Sequence, residues 1–102
     1  MAVTPVTFFR GAASTTSTTL YTGPATGTYI ITNIAITNTA SSAATATITI
    51  DGTAYVSGIS IAANSTTAID LKQPVVSTGT AKLITGLASA TTVNFHITGV
   101  TI

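Results

Sequence analysis

The 102-residue chain reads as an all-β domain, an antiparallel β-sandwich with an Ig-like or jelly-roll outline. Three observations predict this. Apolar and polar residues alternate with a period of two almost throughout, and helical periodicity is absent. Thr, Ile and Val, whose branched Cβ suits a pleated surface, dominate the composition. Turn signals recur every ~8–12 residues, a rhythm that gives about seven or eight strands.

The first element is "TPVTFFR", a plausible strand in which adjacent Phe8 and Phe9 point to opposite faces. It is followed by "GAASTTSTT", a low-complexity linker too poor in apolar area to order itself. Residues 1–18 thus read as an N-terminal segment, either an edge strand of the same domain or an arm packing on a neighbouring molecule, and residues 19–102 as the sandwich. "TYIITNIAITNT" (28–39) forms a longer strand with Ile30, Ile34 and Ile36 on one face; Ile31 breaks the pattern, which suggests a central strand part-buried on both sides.

In "TATITI" (45–50) Ala46, Ile48 and Ile50 face one way and the threonines the other. Asp51-Gly52 is a two-residue type I′ hairpin signal, and "TAYVSG" is the return strand. "GISIAANS" gives a further short strand and a turn, "TTAIDLK" a strand in which Ile69 and Leu71 alternate with Asp70 and Lys72, and Pro74 is expected to stop it. "AKLITGL" (81–87) and "TTVNFHITGVTI" complete the set. In the last strand Val93, Phe95 and Ile97 share a face while Val100 and Ile102 fall in the opposite phase, so a β-bulge is expected at Gly99.

Composition excludes several functions. Only 5% of residues are charged, against roughly 25% in an ordinary soluble domain, with formal net charge +1 and mean hydropathy +0.60. Arg10, Lys72 and Lys82 are too few to track phosphates, so neither nucleic acid nor an acidic membrane is an expected partner. The absence of cysteine excludes thiolate–zinc sites and disulfides. Threonines interrupt every apolar run well short of the ~18 residues a spanning helix needs, and "MAVTPVTFFRGAAS" lacks the basic-then-apolar order of a secretory leader. The chain reads as a soluble, unprocessed product.

The residues offer no convincing chemistry, and no enzyme activity or cofactor is expected. A triad of His96, a serine, and Asp51 or Asp70 can be drawn, yet both aspartates already have structural explanations and no serine sits in a "GxSxG" elbow. His96, between Phe95 and Ile97, belongs to the face opposite the core and reads as a surface or interface imidazole; a metal ligand would need a second donor at fixed spacing. Tyr21, Tyr29 and Tyr55 could make a sugar platform, but scattered strand tyrosines are more often packing residues. Asn64-Ser65-Thr66 matches a glycosylation sequon and reads as a coincidence in a turn.

Unpaired strand edges recruit other chains, and native sheets guard them with lysine, proline or inward charges. This sequence has few such guards, so its edges and Thr/Ala/Ile surface are expected to be covered by neighbours. Phe8, Phe9, Arg10 and His96 are the candidate assembly contacts.

The run "TLYTGPATGTYIITNIAITNTASSAATATITIDGTAYVSGISIAANSTTAIDLKQ", closing with "VNFHITGVTI", resembles a small β-sandwich module of tailed-bacteriophage virion proteins, with an "LYT-P" opening, an "ANS" turn and a final "V-HI-GV-I" strand. The resemblance covers roughly residues 19–102 and departs at "TGPATGT", where the module reads more like "TVPAGKT". It implies a non-enzymatic virion protein on the capsid surface, a decoration protein bound to the major capsid protein or another virion protein and present as a homo-oligomer. The alternative is a carbohydrate- or receptor-binding module of a tail or fibre. Short loops and the lack of tryptophan favour the first.

Overall fold

A computed structural model describes residues 4–102; Met1–Val3, the start of the N-terminal segment, lie outside the described residues. Eight strands account for 73% of the structure, with no helix among the described residues. They are β1 (Thr4–Ala12), β2 (Thr18–Thr22), β3 (Thr26–Asn38), β4 (Ala44–Ile50), β5 (Thr53–Ile61), β6 (Ser65–Thr78), β7 (Leu83–Ala88) and β8 (Val93–Thr101). One sheet, A, has the order β1-β8-β3-β6 and the other, B, the order β2-β7-β4-β5.

The partners are nested. β4 pairs with β5, β3 with β6, β2 with β7 and β1 with β8, all antiparallel. The chain therefore behaves as one long hairpin rolled over into two sheets, which makes the sandwich a jelly roll rather than an Ig-like fold. The tip of that hairpin is Asp51-Gly52, where φ values of 52° and 75° are those of a type I′ turn. Alternation then builds the core: Ile34, Ile36, Phe95 and Ile97 from sheet A meet Ala46, Ile48, Ile84 and Ala88 from sheet B, all buried.

The structure corrects the sequence reading where strands carry irregularities. A bulge places Thr32 between the pairs Ile31↔Gly99 and Asn33↔Thr98, so the inward phase switches from odd to even numbers. Ile31 is consequently in the core with Ile34 and Ile36, and Ile30 is on the outer face. A second bulge leaves Phe8 unopposed between Thr7↔Thr98 and Phe9↔Ile97. Phe8 and Phe9 therefore both pack toward the core instead of pointing apart.

Gly99 itself carries no bulge. β8 runs unbroken while both its neighbours absorb an extra residue against it, and the phase of Val100 is never restored. Glycine is required there by close approach, because a Cβ would coincide with the Ile30 carbonyl and lie 2.7 Å from the Phe8 ring.

Pro74 does not stop its strand. β6 continues to Thr78 because it is an edge strand, where a missing N–H need not break the ladder. "TAYVSG" and "GISI" are one strand, β5, kinked by extra residues at Tyr55 and near Gly58, whose φ is 61°. The Gly58 N–H donates to Thr47 Oγ1 at 3.0 Å.

β1 is an edge strand of sheet A, so the arm alternative does not describe residues 4–12. The Ser/Thr-rich segment after it crosses from sheet A to sheet B and is tied down. The Ala13 N–H donates to the Val93 carbonyl at 2.8 Å, and the Ala88 N–H to the Ser14 carbonyl at 2.9 Å. The boundary between residues 18 and 19 falls inside β2.

Candidate assembly surfaces

No strand of sheet B carries a charged residue. On its outer face Thr49 pairs with Thr85, Thr85 with Thr19, and Thr45 with Ser60, giving a field of hydroxyls interrupted by Leu83 and Leu87. Two of the chain's five charged residues, Asp51 and Lys82, sit in the loops beside this sheet and pair with each other at 3.5 Å.

The other three, Arg10, Asp70 and Lys72, lie on sheet A, with His96. Arg10 and His96 stand directly opposite in the β1–β8 ladder, and Arg10 Nε donates to His96 Nδ1 at 3.2 Å. That bond requires a neutral imidazole with its proton on Nε2. Asn33 Nδ2 donates to Asp70 Oδ1 at 2.9 Å on the far side of the same face.

Of the four candidate contacts the structure brings two together on the surface, Arg10 and His96. Phe8 is 5% exposed and its ring centroid lies 4.7 Å from Tyr21 and 5.3 Å from Tyr29. It seals the β1–β2 side of the sandwich and offers nothing to a partner. Phe9 is half-buried against the same core.

The same outer face has a feature the sequence reading missed. Pro5, Val100, Ile30 and Pro74 face one another in register across all four strands, forming a continuous apolar row. One step toward the end of the sheet lie Val76, 56% exposed, and Ile102, 43% exposed, whose N–H donates to the Thr28 carbonyl. The signal was present in the off-phase of Val100 and in two prolines on strand sequences. Grouping Ile30 on one face with Ile34 and Ile36 hid the row.

The catalytic drawing does not assemble. His96 Nδ1 is taken by Arg10, Asp70 by Asn33 and Asp51 by Lys82. Among the described residues no three of His, Cys, Asp and Glu gather to hold a metal, and no helix is long and apolar enough to cross a membrane. Tyr21 and Tyr29 belong to the aromatic cluster with Phe8. The Tyr29 hydroxyl donates to the Lys82 carbonyl at 3.2 Å, and its pKa is pushed up to about 12, first by burial and then by Tyr21 and Asp51. Tyr55, 41% exposed, remains beside a shallow groove of about 330 Å³ between β5 and β6. Asn64 is exposed in the β5–β6 turn with φ of 53°.

No protein-family profile matches the chain, and comparison with curated proteins returns no match.

Proposed function

We propose that this chain is a non-enzymatic structural subunit of a tailed-bacteriophage virion, a decoration protein held on the outer surface of the head through the outer face of sheet B. The observation that carries the reading is a whole sheet with no charged residue on any strand. An ordinary solvated face carries ions that must be dehydrated at a cost when a partner covers it. Here threonine hydroxyls can be covered by a flat protein surface, finding hydrogen bonds in it, with no ion to strip of water. The resemblance of residues 19–102 to a virion module supports the same reading. The jelly roll alone does not choose, since it serves capsid and lectin domains alike.

The test introduces charge where none exists. Thr45→Lys and Thr85→Lys project from the outer face and should leave the far-ultraviolet circular dichroism unchanged. Virions assembled with either variant should then lose the protein from purified particles, as read by quantitative mass spectrometry. Incorporation at the native stoichiometry would overturn this attachment face. Presence of the native chain on purified tails and its absence from purified heads, with glycan binding abolished by Tyr55→Ala, would favour the receptor-binding alternative.

A further inference from the structure

From sheet A we infer that a second copy of this chain docks face to face on its outer surface, about a twofold axis parallel to the strands. The apolar residues carry the inference first. Pro5, Val100, Ile30 and Pro74 span the full width of the sheet in one register row, with Val76 and Ile102 beyond them. A row of this shape, one residue deep and four strands wide, matches a flat sheet better than it matches a single inserted side chain or peptide.

Two identical sheets stacked face to face can be related by an in-plane twofold along the strands or across them. An axis across the strands would lay the apolar end of one copy on the polar end of the other. The axis along the strands lays apolar row on apolar row, and it also sets β1 of each copy over β6 of its partner.

That second consequence supplies an independent check in the charges. Arg10 lies on β1, in the row Arg10–His96–Ala35–Ala68, and Asp70 lies on β6, one outward position from Ala68. Within one copy, three strand spacings of ~4.8 Å keep Arg10 and Asp70 apart. Across the proposed axis each Arg10 comes over the partner's β6 within side-chain reach of an aspartate. Arg10 and Asp70 are thus opposed across the axis, while Lys72, exposed on the β6 edge, meets no acidic residue of β1 and keeps its ammonium in water. Its area sets the strength. Four strands at ~4.8 Å and about nine residues at ~3.4 Å give about 590 Å² per copy, roughly 1,200 Å² in total, at the lower limit for stable complexes. The dimer is therefore reversible.

The inference concerns the isolated protein and stands apart from the virion reading, which rests on the opposite face. Sedimentation equilibrium from ~1 to ~500 µM should show a monomer–dimer equilibrium in the micromolar range. Ile30→Lys, at the centre of the row, should raise Kd by at least ~10-fold with the circular dichroism unchanged, and Val76→Lys, at a position already exposed, gives a second reading should Ile30→Lys misfold. The decisive arm is a mixture. Arg10→Asp and Asp70→Arg should each weaken self-association, and mixed together they should form a heterodimer tighter than either homodimer, since both cross-axis contacts are then restored. A monomer at every concentration, a dimer indifferent to both lysine variants, or a mixture no tighter than its components would overturn the inference.

Discussion

Gly99→Ala is the sharpest test of how sheet A is built. The substitution adds one methyl at a point where β3 and β1 each insert an extra residue against β8 and crowd toward it. The new Cβ would coincide with the Ile30 carbonyl and sit 2.7 Å from Phe8. The carbonyl is backbone, so relief requires β3 and β8 to separate locally, which sacrifices a ladder hydrogen bond worth ~1 kcal/mol. Displacing the buried Phe8 ring adds ~1–3 kcal/mol of overpacking strain. Against this, replacing a strand glycine recovers ~0.5–1 kcal/mol. The net expectation is ~2–3 kcal/mol of destabilisation, read as a shift of the urea midpoint at constant slope, or ~8–24 °C in Tm. Gly58→Ala is the control: nothing lies within 4 Å of its Cβ, and only the positive φ of 61° resists the change, at ~1–2 kcal/mol. A Gly99→Ala stability within ~0.5 kcal/mol of the native protein would refute the close-approach argument.

Three further outcomes follow from the same structure. Phe95→Ala should cost ~3–5 kcal/mol because its ring is fully buried, while His96→Ala, which loses only the surface bond from Arg10, should change the denaturation midpoint by less than ~0.5 kcal/mol. Deleting residues 2–12 removes Phe8 from the core and strips β8 of a neighbour, so the truncated chain should lack a cooperative urea transition; a native-like transition would show β1 to be dispensable. Tyr29 gives a pH dependence whose sign is fixed. Its folded pKa, raised from 10.0 to about 12, means the folded state holds a proton that the unfolded state releases first. The contribution is complete below pH 10 and is lost as pH rises from 10 toward 12. About 1–2 kcal/mol should disappear over that window, and Tyr29→Phe should flatten the loss. An equal loss in the phenylalanine variant would assign the effect elsewhere.

The parts of the fold that were legible are those where one rule acts alone. "TATITI" followed by Asp-Gly specifies a buried face, a solvent face and a turn, and β4 with its hairpin follows all three. The parts that were not legible depend on pairing. Whether Thr32 or Phe8 is an extra residue depends on what lies opposite, and an inserted residue reverses the inward phase of everything beyond it; Ile30 and Ile31 exchanged faces for that reason. Pro74 was misread because edge or centre is a property of the sheet, not of the strand sequence. Asn38 escaped notice altogether. It is fully buried, donates through Nδ2 to the Ser42 and Ile61 carbonyls, and accepts the Ala40 N–H at Oδ1, so it fixes the loops at one end of the sandwich. Within "ITNTASSA" it looks like any turn asparagine. Of the candidate contacts, His96 was correctly placed outward by alternation, whereas Phe8 and Phe9, expected on opposite faces, both turn in because of the bulge at Phe8.

The edges carry the remaining step. From charge alone the strand edges looked unguarded, and neighbours were expected to cover them. The structure guards each edge differently. β1 has Pro5, Arg10 and the bulge at Phe8; β6 has Pro74, Asp70 and Lys72; β5 is kinked at Tyr55 and Gly58; β2 is five residues long and bulged at Leu20. Bulges twist an edge out of register with any incoming strand and so do the work that lysines do in more highly charged sheets. The surfaces not closed in this way are the two outer faces, where any recognition would run through side chains rather than backbone. Backbone pairing accepts almost any strand, whereas a face that is hydroxyl-rich and uncharged on one side and apolar with opposed charges on the other accepts only a matching surface.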